Sequence, residues 1–289
     1  MNCRRRNQVM FDVPTTAGYL KMGRLTELQA VIFDWAGTTV DYGSRCPAQV
    51  FVEIFRRRGV EITEAEARGP MGRAKHEHIA LVAALPRVAE LWQRQHGCPV
   101  SESDILGMYH DFLPLQKQIL AAGSSVIPGV PEVIDWLRRN GLRIGSSTGY
   151  TRELMDVVCP LAESQGFVPD VTVCSNEVPA GRPAPWLNLR VAEQLQVFPL
   201  HQIAIVDDTL VGIEAGRNAG MLTIAVSQTG NLLGLSAEEV ADLPPDVLQQ
   251  HLKEIEKQFL SIGADYVIRS VTELPALLIS EGFHTHVRR

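Results

Sequence analysis

Apolar residues along this chain gather in short runs, each followed by a stretch whose apolar positions recur every three or four residues. The first run, Ala30-Val31-Ile32-Phe33, stops at Asp34. Apolar residues without polar alternation predict a strand covered on both faces, as in a parallel sheet. Further strands are predicted at Leu142 to Gly145, Val171 to Cys174, Ile203 to Val206 and Leu222 to Val226, with a shorter one at Tyr266-Val267-Ile268. Amphipathic segments such as Pro131 to Arg139 and Arg152 to Ala162 lie between them. This alternation predicts an α/β fold built on a doubly wound parallel sheet.

The first two strands are more than a hundred residues apart, far beyond what one crossover helix requires. Within that gap Val50, Phe51, Ile54 and Phe55 fall at helical spacing, as do Ile79, Val82, Ala83 and Leu85. We therefore expect a helical cap over residues 44–122, inserted into a core of residues 29–43 and 123–289. Residues 1–28 carry no clear periodicity and read as an N-terminal extension. Helices are expected over Ser236 to Gln258 and Thr272 to Ser280, and the basic tail from His284 reads as disordered.

Composition narrows the function classes. The formal charge of -6 argues against a nucleic-acid partner held through phosphates. Arg4-Arg5-Arg6 is one short basic run in a terminal stretch, expected to be a solvated tail. Five scattered cysteines with no Cys-x-x-Cys argue against a disulfide framework or a zinc site and fit a reducing compartment. No apolar run reaches the roughly 18 residues of a membrane span, and no signal peptide is evident. A cytoplasmic enzyme acting on a small molecule is the expectation, with neither membrane nor nucleic acid as partner.

Ligands of an open parallel sheet gather at the carboxyl ends of its strands. Asp34 ends the first strand, Thr148 follows the second, Arg182 lies after the third, and Asp207-Asp208 ends the fourth. A single aspartate after a strand is more often a turn or helix cap than a catalyst. Four such groups on one edge are harder to dismiss. Three carboxylates suit a hard cation such as Mg2+. A hydroxyl and a guanidinium suit phosphoryl oxygens. Together they describe phosphoryl transfer to an aspartate.

The segment Val31 to Thr39 (VIFDWAGTT) resembles the first motif of the haloacid dehalogenase superfamily, and Thr148, Arg182 and Asp207-Asp208 match the second, third and fourth. Phe33 to Gly43 (FDWAGTTVDYG), Arg68 to Lys75 (RGPMGRAK), Gly145 to Arg152 (GSSTGYTR) and Pro179 to Pro183 (PAGRP) resemble its phosphonatase branch, whose members cleave the carbon–phosphorus bond of phosphonoacetaldehyde. The likeness runs from Gln29 to about Glu281.

This resemblance implies Asp34 as the nucleophile and Lys75 as a Schiff-base amine. It also implies a Mg2+ site formed by Asp34, the Ala36 carbonyl and Asp208, and a homodimer paired through the caps. Most superfamily phosphatases carry an acid where Ala36 stands. Its absence fits a leaving group that departs as an enamine rather than an alkoxide. Taken alone, Lys75 reads as a solvated helix lysine; beside Ala36 it reads as the amine. Arg73, His76 and His78 are near enough in sequence to lower its pKa, and His78, three residues on, is a candidate proton-transfer group or a surface histidine. Met71 and Tyr150 are expected to line the pocket, Met71 alternatively to pack in the core. Gly149 either admits the phosphate or forms a simple turn. Asp41 and the cysteines read as structural. The fourth motif departs from the branch pattern Gly-Asp-x-x-x-Asp: here the second acid, Asp207, stands beside Asp208, and residue 212 is glycine. The competing readings are an ester phosphatase or phosphomutase, which predicts an acid at position 36, and a non-catalytic relative. A nicotinamide dehydrogenase is disfavoured because no Gly-x-Gly-x-x-Gly follows the first strand.

Overall fold

The computed structural model describes residues 25–284. Most of the expected extension, with Arg4 to Arg6, and most of the basic tail lie outside the described residues. The elements are β1 (Ala30–Phe33), the helices α1 (Arg45–Arg56), α2 (Glu64–Arg68), α3 (Lys75–Ala83), α4 (Pro86–His96) and α5 (Glu102–Gly123), then α6 (Val130–Arg139), β2 (Arg143–Thr148), α7 (Arg152–Ser164), β3 (Val171–Cys174), α8 (Trp186–Leu195), β4 (Ile203–Asp207), α9 (Leu210–Asn218), β5 (Leu222–Val226), α10 (Ala237–Asp242), α11 (Pro245–Ser261), β6 (Tyr266–Ile268) and α12 (Leu274–Ser280).

All six strands are parallel, in the order β3-β2-β1-β4-β5-β6. β1 is fully buried, and its side chains alternate between two cores as the strand period of two demands. Val31 and Phe33 join a cluster with Val133 and Leu137 of α6, Leu154 and Val158 of α7, and Leu278 of α12. Ala30 and Ile32 join Leu187, Val191 and Leu195 of α8 on the other face. Helices thus cover both faces, the doubly wound arrangement. The strand order reverses between β1 and β4, where such sheets leave a crevice at the carboxyl ends of the strands. Asp34 and Asp207 flank that crevice, and the Asp34 N–H donates to the Val206 carbonyl at 2.9 Å.

Three expectations need correcting. The extension ends sooner than residue 28, because Leu25 and Leu28 pack in the main core. The second strand extends to Thr148 rather than ending at Gly145, since Ser146 finds a partner on β3 and Ser147 one on α8, which packs on the sheet. Ser146 Oγ bonds Thr172 Oγ1 at 2.8 Å, and Ser147 Oγ donates to Asn188 Oδ1 at 3.2 Å. The excursion after β5 is two helices, broken where Leu243 and Pro244 take extended backbone.

The block from α1 to α5 has its own core, centred on Phe51, Phe55, Ile79, Val82, Trp92 and Phe112. Two adjacent segments join it to the sheet domain. The Asp41 N–H donates to the Ser125 carbonyl at 2.9 Å, and the Ile127 N–H to the Thr39 carbonyl at 2.9 Å. Asp41 and Ser44 both have positive φ, 54° and 50°, conformations that cost a non-glycine residue energy and persist only where neighbours enforce them. Asp41 supplies that enforcement. Its buried carboxylate accepts from the Arg45 and Cys46 N–H groups, both at 3.1 Å, and so caps α1. Asp41→Ala is expected to destabilise the chain by about 2 kcal/mol through loss of the cap and of left-handed preference, whereas Asp41→Asn should cost well under half of that; urea unfolding of both variants measures the difference.

Candidate active site

The core side of the site is an ion cluster withdrawn from water. Asp34, Asp207, Asp208 and Arg182 are each buried. Arg182 Nη1 lies 2.7 Å from Asp34 Oδ1 and 3.1 Å from Asp207 Oδ2. Its Nη2 donates to the Ser147 carbonyl at 2.9 Å and to Ser147 Oγ at 3.0 Å. β2 therefore fixes the guanidinium that faces β1 and β4. Burial alone would lower the Arg182 pKa; attraction to Asp207 and Asp34 reverses the shift. Thr148 Oγ1 accepts from the Tyr150 N–H at 3.0 Å, which leaves its own proton free to donate into the cavity.

One guanidinium does not balance three carboxylates. Burial first, then mutual repulsion, raises both the Asp34 and the Asp208 carboxyl, even though Arg182 pulls Asp34 the other way. Oxygens of Asp34, Asp207 and Asp208 lie within 4.8 Å of one another. Asp207 Oδ2 is buried and, despite its closeness to Arg182, has no hydrogen bond. Among the described residues, no hydrogen bond reaches the Ala36 carbonyl oxygen. An all-oxygen donor set with excess negative charge and an orphaned carboxylate oxygen fits a hard divalent cation. Asp208 is the best fixed of the acids, accepting from Thr38 Oγ1 at 3.2 Å and from the Asn231 N–H at 2.7 Å. Asp207 Oδ1 is taken by the Thr209 N–H and hydroxyl at 2.9 and 2.7 Å. The relocated second acid also has a steric explanation: any side chain at Gly212 would collide with the Asp207 carboxylate. An acid at 207 and one at 212 would claim the same space from opposite ends of the first turn of α9, so the chain carries one of them.

The cap closes the cavity from the other side. The cavity is lined by Asp34, Ala36, Thr148, Arg182 and Thr209 of the core and by Met71, Gly72 and Lys75 of the cap. Lys75 opens α3 and is only 4% exposed. Its Nζ has no ion pair or hydrogen bond to any described residue and sits 5.4, 6.0 and 5.0 Å from the ring centres of Phe51, Phe112 and Tyr150. Burial lowers the Lys75 pKa to about 8, against the pull of Asp34 and with the push of Arg182; the positive end of α3 acts in the same direction. Tyr150 belongs to the wall, with a buried hydroxyl that has no partner. Met71 serves both expected roles, lining the cavity and packing in the cap core. Gly149 lies on the wall too, but what demands glycine there is the cap: a Cβ would sit 3.1 Å from the carbonyl oxygens of Gly72 and Arg73.

His78 is placed differently from expectation. It is not at the cavity wall but in the cap core, stacked on Phe51 with ring centres 3.7 Å apart. Its Nε2 lies 2.7 Å from the Ala67 carbonyl, which makes it the donor and leaves Nδ1 a buried, unpartnered acceptor. Burial and then the Lys75 charge hold its pKa well below 6.5. The surface-histidine alternative is excluded by the same burial. Ser44, Pro47, Gly72 and Thr209 also line the cavity and were not singled out from sequence. Gly72 lies within the Arg68 to Lys75 match and Ser44 directly after the Phe33 to Gly43 match, the hints the sequence offered.

Residues 28–220 match the model of the haloacid dehalogenase-like hydrolase family. The chain is 44% identical over 252 residues to the phosphonoacetaldehyde hydrolase of Bacillus cytotoxicus, covering 87% of this chain and 96% of that one. It is 43% identical to a phosphonoacetaldehyde hydrolase-like protein of Syntrophobacter fumaroxidans, over 87% of this chain and 91% of that one. The crystal structure of a phosphonoacetaldehyde hydrolase-like protein from Oleispira antarctica superposes with a TM-score of 0.87 at 41% identity, covering 88% and 92% of the two chains. The apposition of a buried strand-end carboxylate cluster with a buried cap lysine is thus found in a chain that is a haloacid dehalogenase-like hydrolase and belongs to the phosphonoacetaldehyde hydrolase family.

Proposed function

We propose that this enzyme hydrolyses the carbon–phosphorus bond of phosphonoacetaldehyde to acetaldehyde and phosphate, as a step in 2-aminoethylphosphonate breakdown. The observation that carries the reading is the buried Lys75 amine facing the Asp34 cavity, with Ala36 where an acid would otherwise stand. The names of the relatives agree with it.

Neutral Lys75 adds to the aldehyde carbon and loses water to form a protonated imine. A pKa near 8 leaves about a tenth of the amine neutral at pH 7. The Asp34 carboxylate then attacks phosphorus. The electrons of the carbon–phosphorus bond move into the imine, and the two-carbon fragment leaves as an enamine on Lys75. No proton is needed by the leaving carbon at that moment, so Ala36 costs nothing. Arg182 and the Thr148 hydroxyl hold the phosphoryl oxygens. The enamine carbon takes a proton, water releases acetaldehyde from Lys75, and a second water frees phosphate from Asp34. His78, with Nε2–H tied to Ala67, has Nδ1 as its one acceptor for a proton passed from the amine, and its depressed pKa makes it a relay rather than a store. Asp34, Asp208 and the Ala36 carbonyl, with Asp207 alongside, would hold Mg2+, which would supply charge neutralisation at the phosphoryl group. Two copies are proposed to pair through the caps, where Ala65, Pro70, Leu81 and Leu85 line an apolar groove.

Borohydride reduction with phosphonoacetaldehyde present should leave a two-carbon adduct on Lys75 in the peptide mass map. Lys75→Ala should fold and lose more than about a thousandfold in acetaldehyde release. An unlabelled Lys75 at full turnover would instead favour an ester phosphatase. Removal of divalent cations with EDTA should abolish phosphate release and Mg2+ should restore it, as a phosphate assay reads. Beryllofluoride with Mg2+ should inhibit the parent, and Asp34→Asn should bind none of it.

A further inference from the structure

The search outside the reacting groups leads to Arg68, the last residue of α2. It carries the cap's most extensive set of polar contacts to the sheet domain found among the described residues. Its Nη1 donates to the Gly43 carbonyl at 2.7 Å and to the Ser44 carbonyl at 3.2 Å, both at the junction of cap and core. Its Nη2 donates to the Gly234 carbonyl at 3.1 Å, in the loop after β5. Gly234 has φ +67°, and a side chain there would press into the guanidinium, so the loop is shaped to receive it. The contact is returned from the loop: Asn231 Nδ2 donates to the Arg68 main-chain carbonyl at 3.2 Å.

The same loop holds the acidic site. The Asn231 N–H donates to Asp208 Oδ2 at 2.7 Å. Thr229 Oγ1 donates to the Gly37 carbonyl at 2.9 Å, and the Gly43 N–H to the Thr229 carbonyl at 2.8 Å. Asn231 therefore touches the cap with its side chain and Asp208 with its main chain. The Gly43 and Gly234 carbonyls belong to the core and the Ser44 carbonyl to the start of the cap, so Arg68 bridges the two domains while α2 lies against the core.

We propose that Arg68 is a positioning residue, a latch through which cap closure, acting on Asn231, fixes Asp208 and tightens the cation site. Closure and cation binding then reinforce each other, and the coupling must run equally in both directions. The inference rests on the metal reading above, and its test separates the two.

Mn2+ binding to the full chain, read as free Mn2+ by electron paramagnetic resonance, provides a measurement independent of turnover. Arg68→Ala should weaken Mn2+ binding by roughly tenfold, within the usual range of such couplings. Arg68→Lys, which keeps the charge but not the fork, should fall between the parent and Arg68→Ala. Asn231→Ala keeps the main-chain donor and removes only the tie to the cap, yet it should weaken Mn2+ binding to a similar degree. The double variant should be no worse than about twofold beyond the weaker single, because the two side chains meet each other, Arg68 Nη1 donating to Asn231 Oδ1 at 3.5 Å. A purely structural arginine would lower the melting temperature and leave the Mn2+ affinity of the folded protein unchanged; that result, or additive losses in the double variant, overturns the latch. Should Arg68→Ala not fold, an Asn231→Ala protein with parent-like affinity overturns it equally. A parent that binds no Mn2+ sinks the metal reading and the latch together.

Discussion

Withdrawal of charge from water is the constraint on which this site depends. Asp34, Arg182 and Lys75 line one small cavity between sheet and cap, with Asp207 and Asp208 buried beside Asp34, and none has the bulk solvent that would let it ionise freely. A buried ion pair rarely repays its desolvation in stability, and removing one partner is expensive. The cluster is therefore better understood as an arrangement held ready for chemistry than as a stabilising network. Arg182 is shared by Asp34 and Asp207 and anchored on Ser147, so its position is set by β2 rather than by the acids it serves. The charge left over on the acids asks for a dication. The same low-polarity surroundings lower the lysine.

The division of labour between the two domains follows from this. The sheet provides the strand ends that carry Asp34, Thr148 and Asp207, and the helical cap provides Lys75, walled by Phe51 and Phe112 of the cap and Tyr150 of the core. The amine is reactive only where water is scarce, and water is scarce only when cap and core meet. Gly149 packed against the Gly72 and Arg73 carbonyls, and Arg68 seated in the Gly234 loop, are the points at which they meet. In the proposed mechanism Ala36 follows the same logic: an imine formed on Lys75 would accept the departing electrons and remove the need for an acid beside the nucleophile.

Much of the fold is legible in the sequence because β1, β4 and β5 are uniformly apolar and buried on both faces, a pattern that survives any detail of packing. The second strand was harder, since Ser146 and Ser147 look like turn residues until Thr172 on β3 and Asn188 on α8 are known to satisfy them. Asp34, Thr148, Arg182 and Asp208 are legible because each follows or ends a strand, and sheet topology brings strand ends together. The burial of His78 was not legible because helical spacing gives a shared side of α3, whereas Phe51, from another helix, decides what covers it. Arg68 opens the RGPMGRAK match and Gly212 stands where the branch pattern has an acid, but the contacts of neither are legible locally. Their partners lie respectively in a loop more than 160 residues away and in the relocated acid at 207.

The claim on which the rest turns is that burial, with Arg182 close by, keeps the Lys75 amine neutral enough to react. The chain has five lysines, so a metal-free sample with 13C at the lysine ε-carbons gives few enough signals to assign Lys75 by its absence in Lys75→Arg. Its titration should show a midpoint near 8. A midpoint close to that of free lysine, about 10.4, would mean the amine is solvated and charged, and the account of the site would not stand.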